Sequence, residues 1–439
     1  MLFHDTFFLF LFLPLVYGLY FILNQKLKIW FLIFSGFIFY AAWNIKLSPL
    51  ILISILVNYF FSKYIIESLD KERKKIILIF SIFFNISYLG VFKYADFFIS
   101  NFNFLTGLNI SLLNLPFPLA LSFVTFQTIA FVNDCYENNI KNFNLKRYSI
   151  FIIFFPQLIA GPIVRFNDMI AQFESKTNSF VNFKNIIIGL IILSIGIIKK
   201  VFIADNLSIL SDQTFSLSEN INFLNAWIGT LSFTFQIYFD FSGYIDMATG
   251  IALLFNINLP INFNSPYKAT GIIDFWQRWH ITLTNFLTSY IYTPIMRSFK
   301  NLSFLKSMIA TMIVFLIAGL WHGPSWLFVI FGALHGVGLV INHIYRRYIN
   351  FSLNSFISRT ITFLYVNFTF VFFRSENLDT ATFILKEMFI PDFVNILTNF
   401  ESDITYSSLI IIIISFIICF LLKNTDWLIT KLKLSRILD

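Results

Sequence analysis

The chain has 439 residues, of which 57% are hydrophobic and only 12% charged, with a formal net charge of +8. That balance lies far from soluble globular averages and excludes a water-soluble enzyme, while two cysteines, Cys135 and Cys419, in no metal-type or CxxC spacing support neither a disulfide nor a zinc site. The positive balance reads as juxtamembrane Lys and Arg that set topology and meet anionic lipid heads, not as a nucleic-acid footprint.

Apolar runs near the length that crosses a hydrocarbon core, about 20 residues, recur from end to end. They fall at residues 6–23, 29–44, 48–68, 76–92, 116–133, 149–164, 185–203, 222–255, 307–321, 324–345, 358–373 and 407–423. The first follows MLFHD, without a basic n-region or a small-residue cleavage site after it, and is expected to be a retained span. The 149–164 run contains Pro156, Gly161 and Pro162, and 222–255 is too long for one simple span. Both are expected to be broken or re-entrant and to help build an internal cavity, because irregular backbone at membrane depth survives only under protein or beside water. Basic residues follow the first run (Lys26, Lys28), the third (Lys71, Arg73, Lys74, Lys75) and the fifth (Lys141, Lys146, Arg147). Lys431, Lys433 and Arg436 end the chain, whereas Glu401 and Asp403 precede the last run. The pattern predicts an all-α polytopic protein with its N-terminus outside, its C-terminus inside and an odd number of spans near eleven. We expect one integral-membrane domain, with N-terminal helices over 1–133, a core over 149–345 and C-terminal helices over 358–439.

Three constellations carry chemistry. In FFPQLIAGPIVRF, Phe154 to Phe166, Gln157, Gly161, Pro162 and Arg165 place a polar, cationic strip at a membrane border. Arg165 could contact a phosphate or carboxylate, or snorkel to the lipid interface. In FTFQIYFDFSGYIDMATG, Phe233 to Gly250, Gln236, Asp240 and Tyr244 share one helix face at i, i+4, i+8. Asp240 and Asp246 should face protein or water; they could orient a catalytic histidine, pair with Arg278, or satisfy cationic groups in a packed bundle.

The third constellation is the most informative. DFWQRWH, Asp274 to His280, is followed by an apolar helix, then WHGPSW, Trp321 to Trp326, then GALHG, Gly332 to Gly336. Three of the five histidines fall in this window. Gly323 and Pro324 fit a helix interior poorly, so one helix should end near Trp321 and the next begin at Pro324, with His322 at the join. A neutral imidazole suits proton removal from a hydroxyl near neutral pH, which marks His322 as the candidate catalytic base. His335 projects from another helix face and is expected to bond between helices, while Gly332 and Gly336 form a GxxxG that admits a close neighbour. No P-loop, GxGxxG, GxSxG or HExxH is present, which argues against nucleotide-driven transport and against those protease and hydrolase chemistries.

With LGVFKYADFF from Leu89, LSFVTFQTIAFVNDCY from Leu121 and VFFRSENLDTATFILKEMF from Val371, these stretches resemble the membrane-bound O-acyltransferases. The resemblance is to their bacterial branch of alginate and peptidoglycan O-acetyltransferase subunits and teichoic acid D-alanyl transfer proteins. It implies a wall of helices around a thin centre pierced by a tunnel, with the family's invariant histidine at His322 and its second histidine at His280. It further implies a cytoplasmic thioester donor, acetyl-CoA or an acylated carrier protein, and no bound cofactor or metal. A separate extracytoplasmic transferase of SGNH type and a polysaccharide acceptor are the implied partners. Trp321, Trp326 and Trp276 would then shape the cavity, Asp274 and Arg278 would position the donor side, and Asp240 and Asp246 would support them. A polysaccharide transporter or an export scaffold is the alternative of another class.

Overall fold

The computed structural model describes residues 1–216, 221–349, 351–390 and 406–434; Glu401, Asp403 and Arg436 lie outside them. Among the described residues every regular element is a helix. The chain divides into two compact units, one holding Met1–Leu193 and Met247–Pro260, the other Ser194–Asp246 and Ile261–Leu434.

The first unit carries α1 (Leu13–Ile22), α2 (Gln25–Ala41), α3 (Ser48–Glu67), α4 (Lys71–Leu89), α5 (Ala95–Thr106), α6 (Leu121–Tyr136) and the short helices α7 (Leu145–Ile153), α8 (Phe155–Leu158) and α9 (Phe166–Phe173). Lipid offers no hydrophobic drive between helices, so polar side chains join them. Asn58 on α3 and Asn85 on α4 exchange amide bonds at 3.1 and 2.6 Å, and Thr128 on α6 donates to the Asn85 carbonyl at 3.1 Å. The 149–164 segment departs from expectation. It breaks after Ile153, as the proline content predicts, but Phe151, Phe154 and Phe155 are buried in an aromatic core with Phe8, Phe12, Phe39 and Phe131 rather than lining a cavity.

Helices α10 (Phe183–Ile197) and α12 (Phe223–Leu254) contribute residues to both units, and α11 (Asp205–Ser216) belongs to the second. The expected break in 222–255 does not occur. Helix α12 continues through all 32 residues, about 48 Å at 1.5 Å per residue, because neither glycine nor serine in it removes a backbone donor. Glycine there admits a neighbour instead: a Cβ on Gly243 would lie 2.9 Å from the Gly196 carbonyl oxygen.

In the second unit follow the short α13 (Ile272–Trp276), α14 (Ile281–Leu287) and α15 (Thr293–Ser298), then α16 (Phe304–His322), α17 (Trp326–Tyr348), α18 (Ser355–Arg374), α19 (Leu378–Phe389), α20 (Tyr406–Phe420) and α21 (Thr425–Leu434). Helices α16 and α17 form an antiparallel hairpin. At its open end the Phe304 and Tyr348 rings are 6.0 Å apart; nearer the join a Cβ on Gly332 would sit 2.3 Å from the Phe315 carbonyl oxygen and 2.9 Å from the Gly319 Cα. Backbone meets backbone there, the close approach that GALHG predicts on one side. Gly319 supplies the other.

Six of these helices, or stretches of consecutive helices, are long and apolar enough to cross a membrane by length and composition, and up to seven if the bent α20–α21 pair counts as one. The protein is a multi-pass membrane protein. The eleven spans expected from hydropathy include shorter apolar helices such as Phe8–Ile22 that fall below that length.

Candidate active site

His322 is the last residue of α16. The next helix does not start at Pro324. Ser325 takes the N-cap, its hydroxyl accepting the Leu327 N–H at 3.2 Å, because Pro324 has no side-chain acceptor to offer the free N–H groups of the first turn. Gly323 is extended, and a Cβ on it would collide with the Phe328 ring at 2.2 Å. Only glycine lets the chain turn out of α16 with an aromatic ring this close to the imidazole. The His322 ring centroid lies 5.1 Å from Phe373, 5.8 Å from Phe331, 6.4 Å from Phe328 and 5.0 Å from Trp321. The imidazole is half-buried in an aromatic cage at a helix end.

His280 comes from the other part of the window. It is 2% exposed, between α13 and α14, neither of which is long enough to span, and its backbone is left-handed at φ 45°. Its ring lies edge-on to Phe241 at 4.8 Å and 6.4 Å from Trp321, so Trp321 stands against both imidazoles. Burial first, and the charge of His322 second, push the His280 pKa down to about 3. It is therefore neutral across the physiological range.

His335 behaves differently. The Trp276 indole N–H can only donate, and it faces Nδ1 of His335 at 3.1 Å. The proton of the neutral ring is then on Nε2, 2.9 Å from the Thr369 hydroxyl, which itself donates to the Val366 carbonyl at 2.8 Å. Both nitrogens are engaged and the residue is 0% exposed, so His335 ties α13, α17 and α18 together, as the sequence suggests.

The remaining candidates separate. Arg278 pairs with Asp274 at 2.7 Å and donates to the Asn264 carbonyl at 3.3 Å, while Asp274 also accepts the Thr270 N–H at 3.0 Å. The two charges brace the loop ahead of His280. Asp246 pairs with Lys199 at 2.6 Å and accepts from Thr425 at 2.8 Å; Asp240 pairs with Lys200 at 2.6 Å. The structure thus corrects two of the options for these carboxylates: they meet lysines, not Arg278 and not a histidine, and the signal was the Lys199–Lys200 twin inside an apolar run. Gln236 keeps a buried Oε1 with no hydrogen-bond partner among the described residues. Trp276 is committed to His335. Trp326 is 60% exposed at the start of α17 and does not enclose the site; Phe328, Phe331 and Phe373 take that part, and nothing in their local sequence sets them apart from the other 58 phenylalanines of the total 61. Arg165, in the first unit, is exposed at the N-cap of α9. No group of three or more His, Cys, Asp or Glu able to hold a metal ion occurs among the described residues.

The family model for the membrane-bound O-acyltransferase family matches residues 37–377, a stretch that contains both His280 and His322. The chain belongs to the membrane-bound O-acyltransferase family. It is 41% identical over 423 residues to a peptidoglycan O-acetyltransferase of Helicobacter pylori, covering 88% of this chain and 80% of that protein. It is 34% identical to a "Probable alginate O-acetylase AlgI" of Azotobacter vinelandii, over 89% of this chain and 78% of that one. Likeness to a teichoic acid D-alanyltransferase of Streptococcus thermophilus is 28% and spans 54% of this chain and 59% of that protein. As a membrane-bound O-acyltransferase the chain is an enzyme that transfers acyl groups, and the transporter and scaffold alternatives fall away.

Proposed function

We propose that the protein moves an acetyl group from a cytoplasmic thioester, acetyl-CoA or an acylated carrier protein, to the O-acetylation of an extracytoplasmic polysaccharide, peptidoglycan first among them. The observation that carries this is the meeting of His280 and His322 around Trp321 inside the stretch the family model matches. His322 acts as general base. It takes the proton of an acceptor hydroxyl, on the polymer or on a relay group, as that oxygen bonds to the thioester carbonyl carbon. The C–S bond then breaks, and the imidazolium returns the proton to the departing thiolate, leaving free thiol and a new ester. His280 acts on the donor side. Trp321 and the phenylalanine cage keep out the water that would hydrolyse the thioester.

Orientation follows from the ends of the helices. Lys306 near the start of α16, Arg346 and Arg347 in the last turn of α17 and Arg359 near the start of α18 support a cytoplasmic position for these basic ends. His322 then lies towards the outer face of the bacterial cytoplasmic membrane, where a partner transferase, of SGNH type or similar, completes delivery. The similarity to the peptidoglycan enzyme is higher than to the alginate proteins and far more complete than to the D-alanyltransferase, which ranks the acceptors in that order.

The test is a gene deletion restored with wild type or His322→Ala, with base-labile acetate and D-alanine quantified on each purified envelope polymer. Peptidoglycan acetate should be lost, return with wild type, and stay at least about 100-fold lower with His322→Ala at equal protein level. D-alanine loss instead would move the enzyme to the teichoic acid group. Full transfer by His322→Ala would remove the proposed base.

A further inference from the structure

Asn262 is 1% exposed, and its side-chain carbonyl oxygen stands beside His280. Oδ1 accepts the Thr282 backbone N–H at 3.1 Å and the Thr282 hydroxyl at 2.9 Å, and lies 3.2 Å from Nδ1 of His280. The loop is fixed around this atom by two backbone bonds, Ile281 N–H to the Asn262 carbonyl at 3.0 Å and Asn264 N–H to the Arg278 carbonyl at 2.9 Å. A backbone N–H can only donate, so the atom it meets on Asn262 must be the oxygen and not the amide nitrogen. An amide oxygen can only accept, so Nδ1 of His280 must carry the ring proton.

We propose that Asn262 is a positioning residue that locks His280 in its Nδ1–H tautomer, so that Nε2 carries no proton and can accept a hydrogen bond but not donate one. His280 then serves as a hydrogen-bond acceptor towards an N–H or O–H group of the donor; while neutral it cannot donate to an oxyanion or to the departing thiolate. An amide in this place fixes the ring without raising its basicity, as a carboxylate would. The same logic gives His335 the opposite tautomer, with its ring proton on Nε2. The titratable group acting on His280 from another element is His322 on α16; on its own segment the Arg278–Asp274 pair is closed on itself.

This proposal rests on the acyl-transfer role given to His280 above, so three variants are measured together in native membranes with radiolabelled acetyl-CoA and purified peptidoglycan, with rates per folded protein taken from size-exclusion profiles. Asn262→Asp preserves the acceptor and adds charge. It should stay active but move the acid limb of the kcat/KM profile up by about 1 to 3 pH units. Asn262→Leu removes the acceptor and should lower kcat about 10- to 100-fold with KM within about twofold of wild type. If Asn262→Leu does not fold, the limb of Asn262→Asp decides. A merely structural asparagine would lower the folded amount and leave the Asn262→Asp limb where wild type has it, which overturns the proposal. His280→Gln separates the two levels. Wild-type transfer by His280→Gln removes the role of His280 and this proposal with it. An inactive His280→Gln beside wild-type profiles for both Asn262 variants removes the tautomer lock and leaves the role of His280 standing.

Discussion

At the scale of single residues, what a histidine does here is decided by the partners of its two nitrogens rather than by its place in a motif. His280 and His335 are both buried and both close to Trp rings, and a sequence cannot tell them apart by composition. His335 spends one nitrogen on the Trp276 N–H and the other on the Thr369 hydroxyl. Replacing it with Phe keeps the aromatic volume but strands the Trp276 N–H, while the Thr369 hydroxyl keeps its bond to the Val366 carbonyl. A stranded buried donor costs about 1 to 3 kcal/mol, so His335→Phe should lower the thermal midpoint of the detergent-solubilised protein by a few degrees. A midpoint equal to wild type would show that the two hydrogen bonds contribute nothing net. His322 is the opposite case: its ring is caged by Phe328, Phe331 and Phe373 on edges and faces. The histidines and the Trp-rich motifs were legible because ionisable and indole groups are rare in apolar runs. The cage was not, because its phenylalanines look like every other phenylalanine of the chain.

At the scale of elements, the site depends on how closely α16 and α17 approach and on how α12 is anchored. Gly332 and Gly319 put the hairpin in backbone contact, and a Cβ on Gly332 would have to displace the Phe315 carbonyl from 2.3 Å. Gly332→Ala should therefore push α17 and α16 apart, cost about 1 to 3 kcal/mol and lower transfer more than it lowers the folded amount, since His322 ends α16 and is caged by Phe328 and Phe331 of α17. Equal loss of both would mean the hairpin spacing does not reach the imidazole. Helix α12 is held by ion pairs that the sequence left open. Asp246 and Lys199 are 12% and 13% exposed at 2.6 Å, with Thr425 at the start of α21 on the same carboxylate. Removing one partner of such a pair costs about 3 to 5 kcal/mol, because the other is left buried, whereas removing both with apolar residues is far milder. Asp246→Leu alone should thus reduce the folded protein sharply, and Lys199→Leu with Asp246→Leu should restore most of it. If the double variant is as poor as the single one, the carboxylate has a role beyond neutralising Lys199. The 149–164 run shows where helix-breaking residues mislead: Pro156 and Gly161 do interrupt the helix, but phenylalanines on either side make the break a core.

At the scale of the whole molecule, hydropathy and the order of motifs were enough for the class of fold and the family. Span number was less legible, because short apolar helices such as Phe8–Ile22 and long ones such as α12 satisfy a hydropathy window without matching a bilayer's thickness. Topology can be argued further than the loop charges allowed. Because α16 and α17 are antiparallel from the Phe304–Tyr348 contact to Gly323, and α18 runs back along α17 with Tyr365 donating to the Leu334 carbonyl at 2.6 Å, their ends sort into two sets. One set carries Lys306, Arg346, Arg347 and Arg359, with Arg297 and Lys300 just ahead of α16. The other carries His322, Ser325 and Arg374, the last neutralised by Asp212 at 2.7 Å, with Glu376 and Asp379 beyond it. Basic residues dominate the first set among the described residues, so the positive-inside bias predicts that this end faces the cytoplasm. Single cysteines at two exposed positions test it, since Cys135 and Cys419 are buried. In intact spheroplasts a membrane-impermeant maleimide should label Glu376→Cys and spare Asn301→Cys until the membrane is permeabilised. The reverse labelling would place His322 towards the cytoplasm, and the acetyl group would then have to cross the bilayer after the His322 step instead of before it.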